Sequence, residues 1–309
     1  MRVVFQQADL DTCLAGTILG VTGEDCVTWR HEGALPEELA DPAIVCLEAG
    51  GSGEVDRNNF DHHNTSLALP PACVQAFVHC GRPEKYERLV EYAELVDTGR
   101  PFACPGFPNV SHLVSGVRFL YAPDPVRQFV NGVTCLRAIA DLRLDPFAPL
   151  PWREMWAPFF EEKQRRLKEL ESLVSKVQFV RWDGLKLGFA VSSVIGAPGV
   201  LYELGADVAV VYAPQFGHPP APKATISGKG VRVDGLLPVL NAVEPGWGGP
   251  AHGTIIGSPR CGTVLSFSQL RELIESNSWR LERVGGVRYV HQRTGRVHSE
   301  LVQPAMVEP

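Results

Sequence analysis

Short apolar segments alternate with stretches of helical periodicity over the first half of the chain. The run "RVVF" at residues 2–5 and the run "AIVCL" at 43–47 are typical of buried strands, because both are short and continuously apolar. Residues 85–99 instead carry apolar side chains at helical spacing and end in a glycine. Strands that alternate with helices predict βαβ units and a largely parallel sheet, so we expect an α/β fold.

A long charged segment separates this alternation from a second set of strands. Residues 154–177 read as one highly charged helix, and new apolar strands follow it, such as "DVAVVYA" at 207–213. Because 309 residues exceed what one compact core usually contains, we predict an N-terminal parallel-sheet domain joined by this helix to a smaller C-terminal α/β domain. The predicted limits are 1–150 for the first domain, 151–177 for the connecting helix, 178–275 for the second domain and 276–309 for a C-terminal hairpin and tail.

Charge and composition argue against several classes of protein. The net charge is −6, so no overall positive field attracts long duplex nucleic acid. No apolar run reaches the ~18–20 residues of a membrane span, and the N-terminus does not read as a secretory signal. Eight cysteines without a Cys-x-x-Cys pair read as buried free thiols in a reducing cytoplasm. We therefore expect a cytoplasmic protein that does not associate with membranes. A homodimer is possible.

Polar side chains follow the apolar segments of the first domain. Asp9 and Asp11 come after the first strand, Glu48 after the second, Asp61, His62 and His63 after a segment that ends at Phe60, and Asp97 closes a helical segment. Since ligands of parallel α/β sheets bind beyond the carboxyl ends of the strands, we expect these groups to lie together. Carboxylates mixed with imidazole suit Mn²⁺ or Mg²⁺ better than structural zinc. Each motif alone is more often a cap, a turn or a surface pair, and only their order makes the set specific.

That order, Asp-x-Asp, an acid, Asp-His-His and Asp-Thr-Gly, resembles the DHH phosphoesterase superfamily, which is named for the motif found here at 61–63. In that family the acids and the first His bind one or two Mn²⁺ ions, which activate water to attack phosphorus. The resemblance implies that Asp9, Asp11, Glu48, His62 and Asp97 are metal ligands, that His63 faces the scissile phosphate and that Asp61 holds an imidazole. The implied cofactor is Mn²⁺, one or two ions, with Mg²⁺ as the alternative. The histidines at 31, 79, 112, 218, 291 and 298 lack a matching set of partners and are assigned no role.

The second domain carries a glycine-rich segment that belongs to the same resemblance. The stretch "GWGGPAHGTIIGSPR" at 246–260 resembles the loop of the DHH-associated C-terminal domain that binds a phosphate or a terminal nucleotide. The stretch "KATISGKG" at 223–230 resembles the strand that brings a basic group towards that loop. The implied substrate-binding residues are Lys229, Gly246, Gly248, Gly249, His252 and Arg260. Trp247 either stacks on a base or packs between the domains.

Three positions depart from the family pattern and leave two functions open. Phe5 stands where many members have His, Gln7 where the RecJ-type nucleases have an additional Asp, and Glu48 where Asp is usual. We expect a Mn²⁺-dependent phosphohydrolase of small phosphate esters or short oligonucleotides, with inorganic polyphosphate or pyrophosphate as the next substrate class. The alternative is a nucleotide-binding sensor that has kept the fold and lost the reaction. A dinucleotide-binding oxidoreductase fits poorly, because no G-x-G-x-x-G follows the first strand.

Overall fold

The computed structural model of the chain describes residues 1–63, 65, 67–217, 219–250, 253–284, 286–290 and 297–301. The chain divides into two compact units, which span Met1–Arg165 and Arg166–Pro309. Each unit contains helices and a β-sheet, so the predicted two-domain α/β fold is confirmed. The predicted limits of the four segments stay a prediction.

The first unit is built on a four-stranded parallel sheet with the strand order β2-β1-β3-β4. Its strands are β1 Arg2–Phe5, β2 Cys26–Trp29, β3 Ile44–Leu47 and β4 Asn59–Phe60. β3 is buried along its whole length, as its continuous apolar sequence predicts. All neighbouring strands run in the same direction, so their carboxyl ends lie on one edge of the sheet. The polar motifs follow the strands at this edge.

Six α-helices lie wholly within the described residues of the first unit, and the first of them is completely buried. They are α1 Leu10–Ile18, α2 Pro36–Ala40, α3 Ala72–His79, α4 Glu87–Asp97, α5 Val110–Leu120 and α6 Pro125–Asp141. Every residue of α1 is buried, and the helix packs against α3, α4 and α6. Gly16 makes the approach of α6 possible, because a Cβ atom there would lie 2.7 Å from the ring of Phe129. Close packing along the whole of α1 thus fixes the position of the helix.

The helix α7, Ala157–Leu173, continues from the first unit into the second. The second unit contains a five-stranded mixed sheet in the order β10-β8-β7-β6-β5. These strands are β5 Gln178–Trp182, β6 Leu185–Val191, β7 Val208–Phe216, β8 Ala221–Gly228 and β10 Ile255–Gly257. Only β6 and β7 are parallel, and the other pairs are antiparallel.

Shorter elements complete the second unit. They are α8 Ala197–Glu203, β9 Val231–Arg232, α9 Leu237–Val243, α10 Phe267–Ser276, β11 Glu282–Arg283, β12 Gly286–Val290 and β13 Val297–Leu301. β9 pairs with β11, and β12 pairs with β13, both in antiparallel orientation. The segment that joins β12 to β13 lies outside the described residues.

Two expectations from composition can be compared with the described residues. None of the helices there combines the length and the apolar character needed to cross a membrane. All eight cysteines are unpaired, as expected. Only Cys13, Cys46, Cys73 and Cys135 are buried, however, whereas Cys26, Cys80, Cys104 and Cys261 are exposed. The prediction that the thiols are buried is therefore wrong for half of them, because apolar neighbours in sequence do not determine which face of an element a side chain occupies.

Candidate metal centre

Asp9 and Asp11 lie at the start of α1, directly after the turn that follows β1. Asp9 is the N-cap of α1, and its carboxylate accepts a hydrogen bond of 3.0 Å from the Thr12 N–H. Asp11 is buried, and its two oxygens accept hydrogen bonds of 2.7 and 2.8 Å from the N–H groups of Ala72 and Cys73. These N–H groups belong to the first turn of α3 and have no partner within that helix. The N-terminal end of α3 therefore fixes the position of the Asp11 carboxylate.

Glu48 follows β3 in a backbone conformation that few residues other than glycine adopt, with a φ of 47°. Its N–H donates to the carbonyl of Phe60 at 2.9 Å, which ties the residue to the end of β4. The buried carboxylate accepts a hydrogen bond from the Thr12 hydroxyl on one oxygen. Backbone conformations of this kind cost free energy and concentrate at functional sites.

His62 lies at the centre of a group of three carboxylates. Its Nε2 atom is 3.2 Å from Glu48 Oε1, 3.7 Å from Asp97 Oδ2 and 3.9 Å from Asp11 Oδ2. Asp97 is the last residue of α4, so four different elements bring these side chains together. One ligand atom from each of the four residues lies within 4.8 Å of all the others. We call Asp11, Glu48, His62 and Asp97 the four-residue cluster.

His63 lies beside this cluster and is oriented by Asp61. The N–H and the Nδ1 of His63 lie 2.8 and 3.1 Å from Asp61 Oδ1, and the second oxygen of Asp61 accepts from the Gly50 N–H at 2.7 Å. Asp61 is buried, whereas 56% of the His63 side chain is exposed. His63 Nδ1 also lies 3.5 Å from Glu48 Oε1, and with Glu48 and His62 it forms a second group of suitable ligand atoms. Asp61 thus contacts the exposed imidazole and not the four-residue cluster.

The other side of Glu48 borders a small cavity of about 130 Å³, which is lined by Gln6, Gln7, Asp9, Glu48 and His63. Asp9 belongs to neither group of possible ligand atoms among the described residues. Phe5 supplies nothing here, because it is fully buried and its ring stacks on that of Phe129 at a centroid distance of 4.6 Å. On this side, a cation would find fewer protein ligands than in the four-residue cluster.

The electrostatics of the site favour a bound cation. Burial and the nearby charge of Glu48 raise the pKa of Asp9, and that of Asp11, to about 7. Burial also acts to raise the pKa of Glu48, but hydrogen bonds from His62 and Thr12 outweigh it and lower the pKa. A divalent cation would relieve the repulsion among these carboxylates, and its preferred ligands are oxygen atoms supplemented by imidazole. The residues of the cluster therefore fit a divalent metal ion.

Hydrogen bonds to carboxylates raise the pKa of both imidazoles of the site. The hydrogen bond with Asp61 raises the pKa of His63 to about 9. The hydrogen bond with Glu48 raises the pKa of His62. An exposed, positively charged imidazole beside a group of carboxylates can donate a hydrogen bond to an anionic ligand.

In the second unit, hydrogen bonds and close packing hold the predicted glycine-rich loop in place. Gly246 has a φ of 107° and donates its N–H to Asn241 Oδ1 at 2.8 Å. Gly248 pairs with Gly257 through two backbone hydrogen bonds. A Cβ atom on Gly249 would lie 2.1 Å from the carbonyl oxygen of Ile255. Backbone conformation therefore favours glycine at position 246, and close packing requires it at position 249. His252, the remaining predicted residue of this loop, lies outside the described residues.

The basic residues of the second unit take different positions. Lys229 is exposed in the turn after β8, where its N–H donates to the Asp207 carbonyl. Arg260 follows β10, and its carbonyl accepts a hydrogen bond from the ammonium of Lys223 on β8. Trp247 is buried in the core of this unit and donates to Glu244, so it is not available to stack on a base.

Sequence reasoning missed several side chains that shape the site. Thr12 donates to Glu48, and Gln75 donates to the carbonyls of Asp61 and Pro70. Lys223 donates to the carbonyls of Pro259 and Arg260, at the end of the predicted glycine-rich stretch. Thr12 and Gln75 lie on helices, where nothing in the local sequence distinguishes them from ordinary polar residues. Lys223 opens the stretch that was predicted to carry the basic group, so its position was a usable signal.

Comparisons with known proteins identify the fold. No protein-family model matches the chain, and no curated protein matches it. Among solved structures, a pGpG-specific phosphodiesterase, PggH from Vibrio cholerae, is similar, with a TM-score of 0.50 and 13% sequence identity. The similarity covers 90% of this chain and 98% of that chain. At this level of identity the likeness concerns the fold alone, and the chain shares with that protein a fold of α/β units.

Proposed function

We propose that the chain is a Mn²⁺-dependent phosphoesterase of the DHH type that hydrolyses short nucleotides or other small phosphate esters. The observation that carries the proposal is the four-residue cluster, in which Asp11, Glu48, His62 and Asp97 converge within 4.8 Å at the carboxyl edge of a parallel sheet. A likeness in fold to a phosphodiesterase supports the same assignment.

The residues of the cluster would bind the cation, with Asp9 as an additional ligand on the cavity side of Glu48. A divalent cation bound there would lower the pKa of a coordinated water and neutralise charge on phosphoryl oxygens. Mn²⁺ suits this mixture of carboxylates and imidazole, and Mg²⁺ is the alternative. Glu48 belongs to the cluster and also lines the cavity, so it would contribute to both sides, and we propose one or two ions.

His63 would act on the phosphate itself. Asp61 fixes the ring through Nδ1, and the raised pKa keeps the imidazole charged at neutral pH. The ring borders the same cavity as Asp9 and Glu48. A charged donor at this position can orient a phosphoryl oxygen and stabilise the charge that develops in the transition state.

A short nucleotide is the substrate class that we favour. The similar structure is, by its printed name, specific for pGpG, a dinucleotide. The cavity beside Glu48, at about 130 Å³, is small, and the net charge of −6 does not favour a long polyanion. We further propose that the second unit binds the remainder of the substrate through Lys229, Gly246, Gly248, Gly249, His252 and Arg260. Inorganic polyphosphate and pyrophosphate remain the next class of substrates.

The test is hydrolysis by the purified protein with Mn²⁺ across a panel of phosphate esters. The panel comprises a chromogenic diester, a linear dinucleotide, an RNA of two to five nucleotides, 3′,5′-bisphosphoadenosine, a cyclic dinucleotide and pyrophosphate. We expect turnover of a short nucleotide that disappears when a chelator removes the metal. Asp97→Asn abolishes this turnover, whereas Asp141→Asn, which changes the equivalent last residue of α6, leaves it unchanged. Turnover that persists in Asp97→Asn would refute the assignment.

One observation favours a second function, that of a nucleotide-binding sensor. Phe5 is stacked in the core on Phe129, at a position where many DHH proteins have a histidine. This leaves the Asp9 side with fewer possible ligands. A sensor would bind a nucleotide with measurable affinity and hydrolyse no member of the panel, even with saturating Mn²⁺.

A further inference from the structure

Trp29 ends β2, the neighbour of the strand that precedes Asp9, and it lies on the same edge of the sheet as the four-residue cluster. In the register of the parallel pair, Trp29 is the partner of Phe5, the last residue of β1. Gln6 follows Phe5 and lines the cavity that Asp9, Glu48 and His63 also border. Trp29 is therefore the aromatic residue of β2 at the carboxyl edge, where parallel α/β sheets bind ligands.

Hydrogen bonds attach the indole of Trp29 to the wall of this cavity. Its Nε1 donates to the carbonyl of Gln6 at 2.9 Å, and Gln6 Nε2 donates to the carbonyl of His31 at 2.9 Å. Arg30, between the two aromatic residues, donates its N–H to the Phe5 carbonyl and makes two side-chain hydrogen bonds with Glu38. The ring is thus positioned in advance, so that little side-chain entropy would be lost when a ligand covers it.

The ring itself stays open to solvent although its polar atom is satisfied. Trp29 is 41% exposed, whereas Trp156 and Trp247 are buried in the cores of the two units. The ring of His31 lies 5.8 Å from that of Trp29, at an interplanar angle of 43°. We call Trp29 and His31 the aromatic pair. An exposed, hydrogen-bonded indole beside the cavity that Asp9, Glu48 and His63 border matches the aromatic surfaces on which proteins stack nucleic-acid bases.

We propose that Trp29 stacks on one base of the nucleotide whose phosphate lies at the four-residue cluster, with His31 bordering the same base. Trp29 thereby selects nucleotides over phosphate compounds that lack a base. This inference rests on the proposed function and adds a residue that determines specificity. Loss of one base–aromatic stack corresponds to a decrease in affinity of about 5- to 150-fold.

The experiment compares a 5′-phosphorylated dinucleotide with analogues in which hydrogen replaces one base or the other. We expect Trp29→Ala to lower kcat/KM for the complete dinucleotide by about tenfold or more, mainly through KM. We expect it to leave kcat/KM unchanged for one of the two analogues, which also shows that the variant is folded. Trp29→Phe retains an aromatic ring and should restore most of the loss. Trp279→Ala is the matched control, because Trp279 is 44% exposed and lies in the second unit.

The outcomes separate this inference from the function on which it rests. If the wild type turns over the dinucleotide and Trp29→Ala does so equally well, stacking is refuted and the phosphoesterase assignment stands. If Trp29→Ala loses activity equally on the dinucleotide and on both analogues, the residue acts on the fold or the metal site, and stacking is again refuted. If the wild type binds the dinucleotide without turnover, calorimetric titration replaces kinetics, and the same tenfold difference in Kd is expected. If the wild type neither binds nor hydrolyses it, both proposals fail.

Discussion

His62 and His112 lie in the same unit, yet their surroundings shift their protonation in opposite directions. Three carboxylates approach the ring of His62, and its hydrogen bond with Glu48 raises its pKa. His112, on α5, packs against the ring of Phe107 at 5.1 Å. Its buried Nδ1 has no hydrogen-bond partner among the residues that the structure describes. Burial and the charge of Lys163 lower the pKa of His112 to about 4.

This difference shows what distinguishes a candidate site from a structural histidine. Both residues are half-buried, so burial alone does not identify function. What identifies His62 is the convergence of acids from α1, β3 and α4 on one ring nitrogen, an arrangement that is costly without a cation. The surroundings of His112 are aromatic and include a cation, so they offer nothing to a metal ion.

The largest effect expected from this comparison is on catalysis. We expect His62→Ala to lower kcat/KM with Mn²⁺ by on the order of a thousandfold or more, because the variant removes a ligand from the cluster. His112→Leu is the matched variant and should retain activity to within about threefold, since an apolar side chain suits its surroundings. Steady-state kinetics and calorimetric titration with Mn²⁺ measure both. Equal losses in the two variants would break the comparison.

A smaller effect is expected for the carboxylate on the cavity side of Glu48 than for the carboxylate in the cluster. Asp11 lies in the four-residue cluster, whereas Asp9 lies on the cavity side and in neither group of possible ligand atoms among the described residues. We therefore expect Asp11→Asn to abolish Mn²⁺ binding. Asp9→Asn should lower kcat/KM by about tenfold and leave the number of bound ions unchanged. Elemental analysis of the dialysed protein gives that number. A decrease from two ions to one in Asp9→Asn would instead establish a two-metal centre.

The order of strands and acids explains why much of this site was predictable. A parallel sheet places the carboxyl ends of its strands on one edge, so residues such as Glu48 and His62, which follow β3 and β4, must lie near each other. The α/β class followed from the same alternation. The site residues come from motifs that are local in sequence, and only their convergence is a property of the fold.

Other features depend on contacts that the sequence does not encode locally. The hydrogen bond from Thr12 to Glu48 joins residues that are 36 positions apart, and the left-handed conformation of Glu48 arises from its tie to the end of β4. Trp247 is buried because of how the core of the second unit packs. The need for glycine at position 249 also depends on packing. The aromatic pair was missed because Trp29 reads as an ordinary strand residue until its hydrogen bond with Gln6 is seen.

The smallest expected effect concerns stability and the region of His112. Its pKa is lowered from an ordinary value of 6.5 to about 4. Between these values the unfolded chain binds a proton that the folded chain does not, so this residue destabilises the fold as the pH falls. Between about pH 7 and about pH 4, we expect the wild type to lose about 1 kcal/mol more of its free energy of unfolding than His112→Leu, after allowance for partial exposure of the ring.

Urea unfolding of both proteins over this pH range, with chelator throughout, measures the difference. The chelator removes any bound metal ion from the four-residue cluster. The cluster then contributes equally to the pH dependence of both proteins. Curves that stay parallel would show that solvent reaches the ring and that His112 titrates normally. Curves that diverge on acidification would establish that an imidazole in this unit can be partly buried without acidic partners. The convergence of carboxylates, rather than burial, would then be the property that distinguishes His62 from His112.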